Sequence, residues 1–145
     1  MGRLDLPRSG RVYVDTAPLI YTVEKHRPYV TLLRPLWESM DRLSLVSSEL
    51  AALECLVKPI RVGNLAIRAH YESFLFAQGL TLLPVSRETL LRAAELRADT
   101  GLKTPDAIHA ATALEAGCTL FVTNDPHFRR VPGLQVVVPD DVVTA

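Results

Sequence analysis

Short, continuous apolar runs, each separated from the next by segments with helical spacing, constrain this chain more than any other feature. Val12-Tyr13-Val14, Leu43 to Val46, Leu80 to Val85, Thr119 to Val122 and Gln135 to Val138 read as strands. None of them alternates apolar with polar residues. A strand that is apolar throughout is covered on both faces, which is the condition of a parallel sheet with helical crossovers. In such sheets the working side chains lie beyond the carboxyl ends of the strands. The residues after each run therefore matter most.

The intervening segments supply the helices. Pro18 opens one with Leu19, Ile20 and Val23 on its apolar side. Val30 to Arg42 carries Leu32, Leu33, Leu36, Trp37 and Met40 at helical spacing, with Pro35 starting or kinking the helix. Ser47 and Ser48 offer an N-cap to a helix through Val57 that Pro59 terminates. Residues 62–78 form an amphipathic helix closed by Gly79, and Ser86 caps another running to about Asp99. Thr104-Pro105-Asp106 reads as N-cap, first-turn proline and first-turn acid of a helix ending near Gly117.

With 145 residues, 48% of them hydrophobic, the chain has material for one core and shows no repeat or linker. Residues 11–145 are expected to form a single domain, and the polar segment 1–10 a loose extension. Sixteen basic and sixteen acidic residues cancel, so bulk charge announces no nucleic-acid partner. A local basic patch, or cations neutralising a carboxylate cluster, would still hold a polyanion. Cys55 and Cys118 form no C-x-x-C pair and read as small core residues of a reduced protein. No run approaches the roughly 18 apolar residues of a membrane span, and residues 1–10 lack a signal-peptide core. The expected location is cytoplasmic, with no membrane association.

Four acids stand at the places this architecture favours. Asp15 directly follows the first run, and Asp125 follows Leu120-Phe121-Val122 after Thr123 and Asn124. Asp106 lies in the first turn of its helix. Glu54 falls between Leu50 and Val57 on an apolar stripe that also holds Leu53, and so is expected to point inward. Singly, each aspartate has an ordinary explanation as a turn or helix-start residue. Together, without evident cationic partners, the four would repel one another unless divalent cations supplied the missing charge. Oxygen ligands suit Mg²⁺ or Mn²⁺ rather than zinc. Such a site supports metal-assisted phosphodiester hydrolysis.

The same segments carry a family resemblance. Val14-Asp15-Thr16 with Leu19-Ile20, Ser47-Ser48 followed by Glu54, Thr104-Pro105-Asp106-Ala107-Ile108-His109-Ala110-Ala111, and Phe121-Val122-Thr123-Asn124-Asp125-Pro126-His127-Phe128 resemble, in order, the four acidic segments of PIN-domain nucleases. The third is the most specific, and the similarity covers about residues 11–138. The size is similar to that of VapC-type toxins of toxin–antitoxin pairs. The resemblance implies a Rossmann-like α/β fold, with a five-stranded parallel sheet in the order 3-2-1-4-5 and helices on both faces. It implies Mg²⁺- or Mn²⁺-dependent endonucleolytic cleavage of RNA by a homodimer silenced by an antitoxin protein. Asp15 and Asp106 would be the principal metal ligands, with Glu54 and Asp125 completing the cluster. Thr16, Thr123 and Asn124 would orient those carboxylates.

Other residues are weaker candidates. His109, one turn after Asp106, reads as structural, and His127 as a loop histidine. Glu49 lies about 140° around the helix from Glu54 and reads as a solvated acid. Asp140-Asp141 reads as an exposed tail pair. Of the basic clusters, Arg129-Arg130 ranks above Lys25-His26-Arg27 as an RNA contact, because it follows the Asp125 loop. Two rivals stand: a catalytically silent PIN-like binding module, and a small-molecule phosphohydrolase on a doubly wound fold. The haloacid-dehalogenase pattern wants an acid two residues after the first, where this chain has Ala17.

Overall fold

A computed structural model describes residues 2–144. The strands are β1 (Gly10–Val14), β2 (Leu43–Ser48), β3 (Leu80–Leu83), β4 (Leu120–Val122) and β5 (Val136–Val137). All pairings are parallel, in the order β3-β2-β1-β4-β5. The helices are α1 (Thr16–Val23), α2 (Tyr29–Trp37), α3 (Glu49–Arg61), α4 (Leu65–Leu75), α5 (Arg87–Thr100), α6 (Thr104–Glu115) and α7 (Pro139–Val143), with a short 3-10 helix over Pro126–Arg130.

Strand alternation divides the core into two. Val12 and Val14 face a layer built from α1, α2, α3 and α4, with Leu19, Leu33, Leu36 and Tyr71 among its buried members. Tyr13 points the other way and meets Phe121, Phe128 and the small residues of α5 and α6. Its ring stacks on Phe121 at 4.8 Å between centroids. Each fully buried large apolar side chain here contributes about 1.5–3 kcal/mol by leaving water.

Several local expectations are corrected. Pro59 does not end α3, which continues to Arg61 with the proline inside it; a proline there removes a single intrahelical hydrogen bond. Ser48 caps α3 by accepting from the Leu50 N–H at 3.0 Å. Ser47 instead donates to the Val14 carbonyl at 2.6 Å, tying β2 to β1. Residues 62–64 lie outside α4, whose first turn is capped by Asn64. Thr104 is inside α6, and Lys103 occupies the cap position.

The leading segment is not loose. Leu4 is buried in the α1–α4 core layer, Leu6 packs against it, and Arg42 donates to the Pro7 carbonyl. Nor is Asp140-Asp141 a free tail. Both belong to α7, where Asp140 accepts from the Tyr29 hydroxyl and Asp141 from Arg129 at 2.6 Å. The thiols of Cys55 and Cys118 are unpaired, and burial pushes them up to about 12 and about 11.

Candidate active site

Parallel pairing sets two candidate residues side by side. Val14 lies opposite Val122, and the ladder extends one step because the Asp15 N–H donates to the Val122 carbonyl at 2.9 Å. Asp15 and Thr123 consequently leave the sheet together. The Thr123 hydroxyl donates to Asp15 Oδ2 at 2.7 Å, and the Thr16 N–H donates to Oδ1 at 2.8 Å. Asp15 is only 8% exposed. Burial raises its pKa, and the proximity of Glu54 adds to that, against the opposing pull of His109 and the two hydrogen bonds.

Glu54 reaches the same edge from α3, though not on the side expected. The helix buries Ala51, Ala52, Cys55 and Pro59, while Leu53 and Val57 are 60% and 41% exposed. Leu53 and Val57 thus point outward and the small residues inward, while Leu50 and Leu56 are partly buried against the two core layers. Glu54 sits at the boundary of the two faces, half-buried. Its Oε1 accepts from the Thr16 hydroxyl at 2.9 Å and from His109 Nε2 at 2.5 Å. Burial acts to raise its pKa, but the bond and charge of His109 and the bond from Thr16 outweigh it and lower it.

His109, read from the sequence as a structural histidine, is buried and hydrogen-bonded at both ring nitrogens, but among the acids. It is 1% exposed and lies at the centre of the acids. Its Nδ1 is 2.6 Å from the Tyr13 hydroxyl, and its Nε2 is 3.7 Å from Asp15 Oδ1 as well as bonded to Glu54. Nε2 must carry the proton that faces Glu54. Nδ1, when the ring is neutral, accepts from Tyr13, whose own pKa is raised well above the ordinary tyrosine value by burial and by Asp15. Burial opposes a charge on the imidazole, yet the Glu54 bond and the fields of Asp15 and Asp106 raise its pKa overall. The acids therefore surround a group whose protonated form they favour. Its sequence signal was position alone: one turn after Asp106, on a helix with four alanines.

Asp106, in the first turn of α6, faces the same region. Its pKa is raised by burial first, then by the charges of Asp15 and Asp125. Asp125 lies farther out. Its Oδ1 caps the 3-10 helix by accepting from the His127 N–H at 2.9 Å, and His127 Nδ1 lies 3.1 Å away. It thus fills the turn role available to an Asn-Asp-Pro sequence while its field still reaches Asp106.

The remaining candidates divide. Thr16 and Thr123 hold Glu54 and Asp15. Asn124 holds none of the acids: its amide donates to Tyr21 Oη at 3.0 Å and accepts from the Asp140 N–H at 3.0 Å, joining α1 to α7. Arg129 is engaged by Asp141.

Among the described residues no three His, Cys, Asp or Glu side chains stand close enough together to hold one ion. The donor chemistry nonetheless fits a hard divalent cation. Asp15, Asp125 and Glu54 all raise the pKa of Asp106, and Glu54 raises that of Asp15, a repulsion that positive charge relieves.

The fold is that of several toxin–antitoxin proteins. VapBC2 from Rickettsia felis, in a complex with a promoter DNA fragment, aligns with a TM-score of 0.73 and 19% identity, covering 88% of this chain and 98% of that one. VapC20 of Mycobacterium tuberculosis, described as a sarcin–ricin loop cleaving toxin, aligns with 0.72 and 16%, covering 88% and 99%. A toxin–antitoxin complex from Klebsiella pneumoniae aligns with 0.68 and 22%, covering 88% and 97%. No curated protein sequence matches the chain. The PIN domain family matches residues 12–134, a span that includes Asp15, Glu54, Asp106, His109 and Asp125. With that match and the sheet order it requires, the chain belongs to the PIN domain family.

Proposed function

We propose that this PIN domain is a Mg²⁺- or Mn²⁺-dependent endoribonuclease, the toxin of a toxin–antitoxin pair. The observation that carries the reading is the convergence of acids at one sheet edge, where the charges of Asp15, Asp125 and Glu54 add to burial in raising the pKa of Asp106. A divalent ion held by Asp15 and Asp106, with Glu54 and Asp125 nearby, would offset that repulsion and acidify a bound water.

The protein's own groups do the positioning. Thr123 and the Thr16 N–H fix both oxygens of Asp15. Thr16 and His109 share Oε1 of Glu54, leaving its other oxygen uncommitted. Tyr13 fixes the imidazole ring from behind. In the reaction, a water oxygen bonds to phosphorus and the bond from phosphorus to the 3′-oxygen breaks. The leaving oxygen takes a proton, giving 5′-phosphate and 3′-hydroxyl ends.

Support for the biological role comes from neighbours described as toxin–antitoxin complexes. An antitoxin protein is the proposed partner. A homodimer is supported by the apolar row Leu53, Val57 and Ile60, which is exposed on α3. Among the described residues no helix is long and apolar enough to cross a membrane, and the proposed location is the cytoplasm. The test is cleavage of total RNA with and without Mn²⁺, mapping both fragment ends, beside Asp15→Asn. Cyclic 2′,3′-phosphate ends, or full activity in excess chelator, would overturn the chemistry.

A further inference from the structure

The turn between α1 and α2 carries a surface that the acidic site does not use. Lys25, Arg27 and Arg34 line an open cleft of about 540 Å³ together with Thr22 and Thr31. No carboxylate lines it, and among the described residues none of the three cations has an ion-pair partner. The adjoining cleft of about 600 Å³ differs, because Asp5 and Glu38 accompany Arg3, Arg34 and Arg42 there. Glu24, the acid next to Lys25, lines another cleft and accepts from the Tyr71 hydroxyl. On a chain whose net charge is zero, three cations without an acid are a local excess.

Aromatic rings stand beside these cations. Tyr21 stacks on Tyr29 at 4.2 Å between centroids, and His26 lies 5.6 Å from Tyr21. Both tyrosines are partly exposed and His26 is exposed. Tyr21 also receives the hydrogen bond from Asn124, the residue before Asp125, so the surface borders the acidic edge. The turn itself places Lys25 unusually. The His26 N–H bonds the Tyr21 carbonyl, and Lys25 takes a left-handed φ of 55° where such helix ends favour glycine.

Unpaired cations beside half-exposed rings are the means by which proteins hold single-stranded nucleic acid: charges follow the phosphates and rings stack on bases. We infer that the α1–α2 turn docks the single-stranded RNA flanking the scissile phosphate, with Lys25, Arg27 and Arg34 on backbone phosphates and the His26–Tyr21–Tyr29 cluster under a base. The inference rests on the endoribonuclease reading. It also moves the leading phosphate contact away from Arg129, which Asp141 occupies.

The experiment uses full-length Asp106→Asn protein, a short fluorescent oligouridylate and anisotropy over a range of salt. Lys25→Gly with Arg27→Ser removes two cations while giving the turn the residue it favours. Affinity should fall roughly tenfold, and the slope of log K against log salt should shrink by about 1.4 for two lost single-strand phosphate contacts. His26→Ala should weaken binding roughly fivefold with the slope unchanged. Arg87→Ser with Arg92→Ser, an equal charge change on α5, should alter neither. Equal losses in both double variants would overturn the proposal. So would a turn variant that keeps its RNA affinity but no longer holds an acidic peptide, which would assign the surface to a protein partner. Wild-type protein that cuts RNA while the turn variant retains affinity and slope would reject the docking surface alone. Absence of both RNA cleavage by wild type and RNA binding by Asp106→Asn would reject the ribonuclease reading with it.

Discussion

Helices α3 and α6 each deliver one acid to the same edge, and they do so by opposite means. From Ala107 to Ala113 every residue of α6 is buried, and five of those seven positions are alanine or threonine. Small side chains let that helix press between the sheet and α5, whose Arg97 also holds its start by donating to the Leu102 carbonyl and the Thr104 hydroxyl, both at 2.9 Å. In α3 only Ala51, Ala52, Cys55 and Pro59 are buried, and the leucine and valine one would assign to the core lie outside. Glu54 is therefore held by two hydrogen bonds at the margin of the helix rather than by close packing. Where a helix lies tight against a sheet, side-chain size is a poor guide to burial, because close approach selects for small residues.

The contrast can be broken most directly at Asp106. Asp106→Asn should lower RNA cleavage on the order of a thousandfold, by loss of several kcal/mol of charge stabilisation. Because the Asp106 charge is unfavourable in the fold, melting in metal-free buffer should stay level or rise. A large drop in melting temperature would make that aspartate structural.

His109 joins the two helices, and removing it tests whether Glu54 depends on α6. His109→Ala removes the ring's bonds to Tyr13 and Glu54, taking from the buried Tyr13 hydroxyl its 2.6 Å partner. The expected loss is about 3 kcal/mol in denaturant unfolding. His109→Gln, able to bond at one end, should recover part of it.

A third effect, of a few degrees in melting temperature, concerns pH. Asp15 and Asp106 have raised pKa values, so the native state binds their protons more tightly than the unfolded chain does. His109, also raised, stabilises the fold when protonated, and that contribution disappears as pH climbs through its folded pKa. Glu54, which is lowered, opposes the trend only below the ordinary carboxylate range. In excess chelator, stability should therefore increase as pH falls from about 8 to about 5. Added Mg²⁺ should flatten the profile, and a profile that ignores Mg²⁺ would separate the carboxylates from any metal.

The smallest effect belongs to the outer face of α3. Leu53→Ser with Val57→Ser should change protomer stability by no more than about 0.5 kcal/mol, since both are exposed. Light scattering should then report whether that face holds two copies together.

Strand positions and the α6 motif were legible because each rests on a local signal, a continuous apolar run or a proline and acid in a first turn; the sheet order came only through the family resemblance. The orientation of α3 was not, since periodicity marks an apolar face without saying what it faces. The partners of His109 were hidden for a related reason. Its neighbours Tyr13 and Glu54 are 96 and 55 residues away in sequence, and only the crossover of the sheet brings them together. Asp140-Asp141, in α7, read as a tail pair because nothing local marks their partners, and Asn124, Tyr29 and Arg129 lie elsewhere in the fold.

That last helix has an engineering consequence. The Gly2 N–H bonds the Val142 carbonyl at 3.1 Å, so the polypeptide path comes back nearly to where it set out. A few flexible residues would bridge the gap, and the chain could be opened anew at the exposed Gly101, between α5 and α6. Such a permutant would keep the α7 clasp on the Asn124 loop while freeing α6 at its leading end. It would provide a way to vary how firmly Asp106 is seated without altering a side chain in the site.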